Sequence, residues 1–129
     1  MKAGDLAAYL EGHASDIGDE VARRMAEQHP TMFATYRRRA RNKSKSPEEW
    51  CAEDSAHHLR ALAAAVSIDD PSEFETYRAW LVEMLGARDI PEEDVGLTFS
   101  CLAILLEERL GDDAAGAIAM LRATPAPAG

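Results

Sequence analysis

Ser46-Pro47-Glu48-Glu49-Trp50-Cys51-Ala52-Glu53-Asp54-Ser55-Ala56-His57-His58-Leu59-Arg60, continuing to Val66, reads as one helix. Ser46 stands as N-cap, and Pro47 occupies the first turn, where its missing N–H costs nothing. Glu49 is placed to reach back and close a capping box. Beyond this start, Trp50, Leu59, Leu62 and Val66 supply apolar positions among small residues. The helix also carries the one constellation in the chain with chemical character. A thiol at Cys51, a carboxylate three residues on at Asp54 and an imidazole seven on at His58 fall on one face. Such a face suits a planar, nitrogen-rich ligand: the thiol for attachment, the carboxylate to accept from ring N–H groups, the imidazole to stack or donate. His57 and His58 cannot both serve it, because neighbours in a helix point about 100° apart.

Helical periodicity extends outward in both directions. Upstream, Leu6, Leu10, Ile17, Val21 and Met25 trace an apolar stripe that predicts a first helix over about 5–28. Pro30 ends it. A short helix over 31–42, with Met32, Phe33 and Tyr36 as its apolar members, runs to a loop marked by Asn42, Ser44 and Ser46. Downstream, Asp69-Asp70-Pro71-Ser72-Glu73 stops one helix and caps the next, in which Phe74, Tyr77, Trp80, Leu81, Met84 and Leu85 repeat at three- and four-residue spacing. Gly86 to Pro91 forms a turn. Glu92 to Leu110 follows as a fifth helix with an apolar interior of Val95, Leu97, Phe99, Leu102, Leu105 and Leu106. Gly111-Asp112-Asp113 caps a last helix of about 112–123, and residues 124–129 read as a frayed tail. No segment alternates as a strand does, so the expected class is all-α, about six helices in one domain over 1–123.

Composition narrows the function. The chain has 129 residues, 47% of them hydrophobic, and a formal charge of −9, which points away from nucleic acid. Two cysteines fifty positions apart make neither a disulfide framework nor a zinc motif. Reduced thiols in a cytoplasm are the expectation, with no signal segment and no apolar run near the roughly 18 residues of a membrane span. No nucleophile–base pair, phosphate loop or catalytic carboxylate pair is present, so the expectation is a binding protein and not an enzyme.

The run Cys51-Ala52-Glu53-Asp54, four further residues, then Leu59-Arg60 resembles the bilin-attachment segment of phycobiliproteins. The resemblance extends to Pro30, the Asp70-Pro71 turn, the Ile90-Pro91 turn and the start of the last helix at Gly111 to Ala115, covering roughly 15–123. It implies membership of the globin superfamily and a globin-like helical sandwich, without the N-terminal helical pair that phycobiliproteins use to build rods. Departures stand beside it. Glu53 replaces an arginine that binds a bilin propionate, His57 and His58 replace a tyrosine pair, and Glu93 or Asp94 stands where a tryptophan is expected. The single-domain, bilin-biosynthesis-associated globins fit better than a light-harvesting subunit.

The resemblance implies a linear tetrapyrrole, such as biliverdin or phycocyanobilin, bound between the helix of Cys51 to Arg60 and the helix that begins near Pro71. A bilin needs cations for its propionates, and Arg37, Arg38, Arg39, Arg41, Lys43 and Lys45 put six positive charges within nine residues, leaving a formal −15 on the remainder. The expected bilin contacts are Cys51, Asp54, His57, His58, Arg60, Arg37, Arg41, Lys43, Tyr77 and Trp80. Asp54 would hold the pyrrole nitrogens protonated, and Cys51 could form a thioether, although Glu48, Glu49 and Glu53 disfavour its thiolate. Each has a plainer alternative: Cys51 as a packing residue, Asp54 paired with His58, the basic run as a solvated face, Tyr77 and Trp80 as core or interface. Cys101 reads as inert. Conventional heme ligation is disfavoured, because residues 71–88 contain no histidine and His13 and His29 lie remote on the first helix. The expected roles are a bilin carrier, chaperone or chromoprotein, homodimeric and allied to bilin-synthesising enzymes, or alternatively a ligand-free globin acting as a sensor or interaction module.

Overall fold

The computed structural model describes residues 1–40 and 44–123, and among these it is helical, with no strand. The helices are α1 (Ala3–Gly12), α2 (Ala14–Gln28), α3 (Pro30–Arg39), α4 (Pro47–Ser67), α5 (Pro71–Gly86), α6 (Glu92–Leu110) and α7 (Ala115–Arg122). A single 3-10 turn, Gly111–Ala114, joins the last two. The all-α expectation is met. The tail at 124–129, with Arg41, Asn42 and Lys43, lies outside the described residues.

The helix expected over 5–28 is divided at His13, whose φ and ψ of −106° and 11° leave helical values. Hydrogen bonds still run through the division, from His13 N to Tyr9 O and from Ile17 N to His13 O, each 2.9 Å, so it is a kink and not a loop. Gly12, a weak helix former, precedes it. On both sides of the kink the apolar stripe Leu6, Leu10, Ile17, Val21 and Met25 is buried.

The caps read from the sequence for α4 and α5 are formed, whereas Gly111-Asp112-Asp113, expected to cap the last helix, lies in the 3-10 turn and gives α7 no side-chain cap. Glu49 N donates to Ser46 Oγ at 3.1 Å and Ser46 N to Glu49 Oε1 at 3.2 Å, which starts α4. Ser72 N donates to Asp70 Oδ1 at 3.0 Å, which starts α5. Two aspartates in the left-handed region, Asp69 (φ 51°) and Asp89 (φ 62°), follow the ends of α4 and α5. Aspartate tolerates that conformation better than most residues.

Helix α4 is the hub: α1 and α2 pack along it, and α3, α5 and α7 also reach it, while α6 closes against α2, α5 and α7. Leu10, Ile17, Met25, Leu59, Leu62, Phe74, Phe99, Leu102, Leu106 and Leu121 are fully buried between them. The approach of α2 to α4 depends on one residue. A Cβ at Gly18 would lie 2.6 Å from Ala52 O and 3.2 Å from Ala56 N, closer than side-chain carbons come to backbone. Leu97 corrects the expected interior of α6. It is 38% exposed, because Val95, Phe99, Leu102 and Leu106 take the core-facing arc and Leu97 lies about 200° round from Val95.

Candidate functional site: the seam between α4 and α5

Side chains from the capping-box helix meet α5 along one seam. At its base His58 is buried and its Nδ1 lies 2.7 Å from the Tyr77 hydroxyl. The His58 ring also stands edge-on to Phe99, 5.2 Å between centroids, and Phe74 packs on Phe99 at 5.4 Å. Burial, with His57 beside it, drives the His58 pKa down to about 3, so the ring is neutral at physiological pH. Burial also raises the Tyr77 pKa, and the nearby Asp54 charge adds to the rise, so its hydroxyl stays protonated and can donate to the neutral ring. His58 therefore belongs to a packed aromatic core and does not pair with Asp54.

Asp54 lies one turn earlier on the same side of α4, half-buried; its charge acts on Tyr77 of α5, and Arg88, in the turn after α5, acts on it in turn. Burial raises its pKa, which His57 and Arg88 oppose. Among the described residues its carboxylate makes neither a hydrogen bond nor an ion pair. Cys51 packs half-buried against the main apolar cluster. Burial pushes its thiol up to about 11; the Ser55 hydroxyl works against the rise, and Asp54, Cys101 and Glu48 add to it. The contact between the two side chains does not have hydrogen-bond geometry, and Ser55 Oγ stays buried without a partner. A thiol at about 11 is almost wholly protonated at neutral pH and is a poor nucleophile.

The two tryptophans of the chain lie on the two helices that form this seam. Trp50, one turn before Asp54 on α4, is 42% exposed, with Lys45 Nζ 4.9 Å from its ring centre. Trp80, on α5, is 55% exposed and tilts against Tyr77 at 6.0 Å. Met84 continues the same face of α5 at four-residue spacing, and Arg88 lies in the turn that follows the helix.

The other expected contacts lie elsewhere. His57 is exposed and, with Arg60, lines a small cleft of about 190 Å³ where α2 crosses α4, shared with Ser15, Asp19 and Glu53. Arg37 pairs with Glu48 at 2.9 Å on the surface, and Lys45 pairs with Glu53 at 2.5 Å. These carboxylates already neutralise part of the basic run, and Arg41 and Lys43 lie outside the described residues. Another cleft, of about 500 Å³, lies between α5 and the end of α7. Neither cleft is lined by Cys51 or Asp54. Arg88 is the seam residue that sequence reasoning missed. It lies in the turn after α5, beyond the helical repeat, and only the folded chain brings it to Asp54. A bond from the Tyr36 hydroxyl to Asp94 Oδ2, joining α3 to α6, was equally unforeseen. The chain matches no family model, no curated protein and no solved structure among those compared.

Proposed function

We propose that this chain is a helical binding module working through the α4–α5 seam, and that the occupant is a protein surface, in the first instance a second copy of the chain. The observation that carries this reading is the exposure of Trp50 at 42% and Trp80 at 55% along one seam. Tryptophan, tyrosine and arginine are the residues that most often supply interface binding energy, and Tyr77 packs against Trp80 with Arg88 further on in the turn after α5. A two-fold interface must be self-complementary, and the seam offers both signs of charge, Asp54 on α4 and Arg88 in the turn after α5. Sedimentation equilibrium over a concentration series tests it. A dimer that Trp80→Glu converts to monomer supports the reading, whereas wild type that stays monomeric at millimolar concentration removes it.

A second occupant is favoured by one specific feature, the half-buried Asp54 carboxylate without a hydrogen bond. A linear tetrapyrrole laid along the seam would give it pyrrole N–H donors, with a propionate toward Arg88 and rings against Trp80 and Tyr77. Because the Cys51 thiol is held protonated, the complex would be reversible, that of a carrier or chaperone for bilin-synthesising enzymes. Kinship with the phycobiliprotein-like globins and a cytoplasmic setting belong to the same proposal. They rest on the motif residues Cys51 to Arg60 and on the two free cysteines. Titration with biliverdin separates the occupants. A visible band that Asp54→Ala shifts supports the pigment, and an unchanged biliverdin spectrum leaves the protein surface.

A further inference from the structure

On the opposite flank of α5, away from the seam, the cleft of about 500 Å³ is walled by Phe74, Ala79, Val82, Met120 and Ala123. Pockets that take small organic molecules are of this size and lining, with a few placed polar groups. Here the placed group is Arg78. Its Nη1 donates to the carbonyls of Ala123 at 2.9 Å and Leu121 at 3.4 Å, closing the end of α7. Its guanidinium carbon stands 5.0 Å over the Phe99 ring. These contacts fix the side chain yet bring no negative charge: among the described residues no carboxylate pairs with Arg78, and its Nε is buried without a partner. A guanidinium has five N–H groups, so most of this one's donors are unspent.

We infer that this cleft binds an apolar organic acid, whose carboxylate lies against the Arg78 guanidinium and whose body fills the space between Phe74, Val82 and Met120. The carboxylate brings both the missing counter-charge and paired acceptors matched to the guanidinium fork. The donors it meets are those of Nη2, which makes no hydrogen bond among the described residues. Glu75 and Glu92 also line the cleft. They repel anions, which restricts the class to a single carboxylate whose apolar body contributes most of the binding.

Decanoate, with decanol and decylammonium as charge controls, tests the assignment by calorimetric titration of the full chain. Decanoate is expected to bind at least about ten-fold tighter than either control. Val82→Trp, which fills the cleft and keeps Arg78, is expected to weaken decanoate by about ten-fold or more, and Arg78→Gln to erase the preference for decanoate over decanol. Equal affinity for decanoate and decanol, tighter binding of decylammonium, unchanged binding by Val82→Trp, or no binding at millimolar concentration overturns the inference. Trp80→Glu should leave decanoate affinity unchanged, so this site stands or falls separately from the seam.

Discussion

His58 lies 2.7 Å from the Tyr77 hydroxyl, and its imidazole is kept neutral by burial. Its folded pKa of about 3 lies below the ordinary 6.5, so the unfolded chain binds a proton that the folded chain refuses. Stability from this group is therefore complete above pH 6.5 and is lost as pH falls toward 3. Asp54, whose pKa is raised, contributes with the opposite sign, but mainly in the carboxylate range. Glu20, Glu48 and Glu108, held low, lose their contributions only below about 4.5. Between pH 6.5 and 5 the slope is thus expected to rise from about 0.7 to about 1.4 kcal/mol per pH unit, roughly 1.6 kcal/mol in all. Urea unfolding at those two pH values measures it, and His58→Gln, which keeps a polar partner for Tyr77 without titrating, should flatten it. Cys51 gives a second test at this scale. A thiol raised from 9.0 to about 11 has about a hundred-fold less thiolate at neutral pH, and iodoacetamide should modify it more slowly than a free cysteine by about that factor. Alkylation at the rate of a free thiol would show that Cys51 is not packed as described.

Among the elements, the crossing of α2 and α4 is set by Gly18. Replacement by alanine gains up to about 1 kcal/mol of helix propensity but puts a methyl group 2.6 Å from the Ala52 carbonyl oxygen. That oxygen is backbone and cannot step aside, so overpacking prevails, and Gly18→Ala should destabilise by roughly 1–3 kcal/mol in chemical denaturation. The Ser46 cap is a milder test: Ser46→Ala should cost about 1 kcal/mol through loss of the bond from Glu49 N. The helices and their caps were legible in sequence because they depend on neighbours within four residues. Ser46 with Glu49, Asp70 with Ser72 and the span of α6 are all local patterns. Gly18 was not legible, since what makes glycine necessary there is a backbone thirty-four positions away in sequence. The kink at His13 escaped for a related reason: the apolar stripe runs through it unbroken.

For the whole molecule, periodicity identified which residues are apolar but not which of them the packing would leave outside. Trp50, Trp80 and Leu97 fit helical patterns as well as Phe74 or Phe99 do, yet they lie on the surface, because α4, α5 and α6 have no further helix to cover those arcs. The candidate site was legible in part. His58 and Tyr77 meet across the α4–α5 seam with Asp54 and Trp80 beside them, whereas Cys51 has Cys101 of α6 among its neighbours, His57 and Arg60 turn to the α2 side and Arg37 is engaged by Glu48. Arg88, and the packing that neutralises His58 and protonates Cys51, arise only when distant segments meet. The position of the tryptophans makes the central claim directly measurable. With no tryptophan elsewhere in the chain, tryptophan emission reports the two helices that form the seam. If the seam is the working surface, emission should move to shorter wavelength as protein concentration rises through the dimer range, or be quenched on adding biliverdin. Emission that stays at the wavelength of water-exposed tryptophan at every concentration, with and without biliverdin, would contradict it.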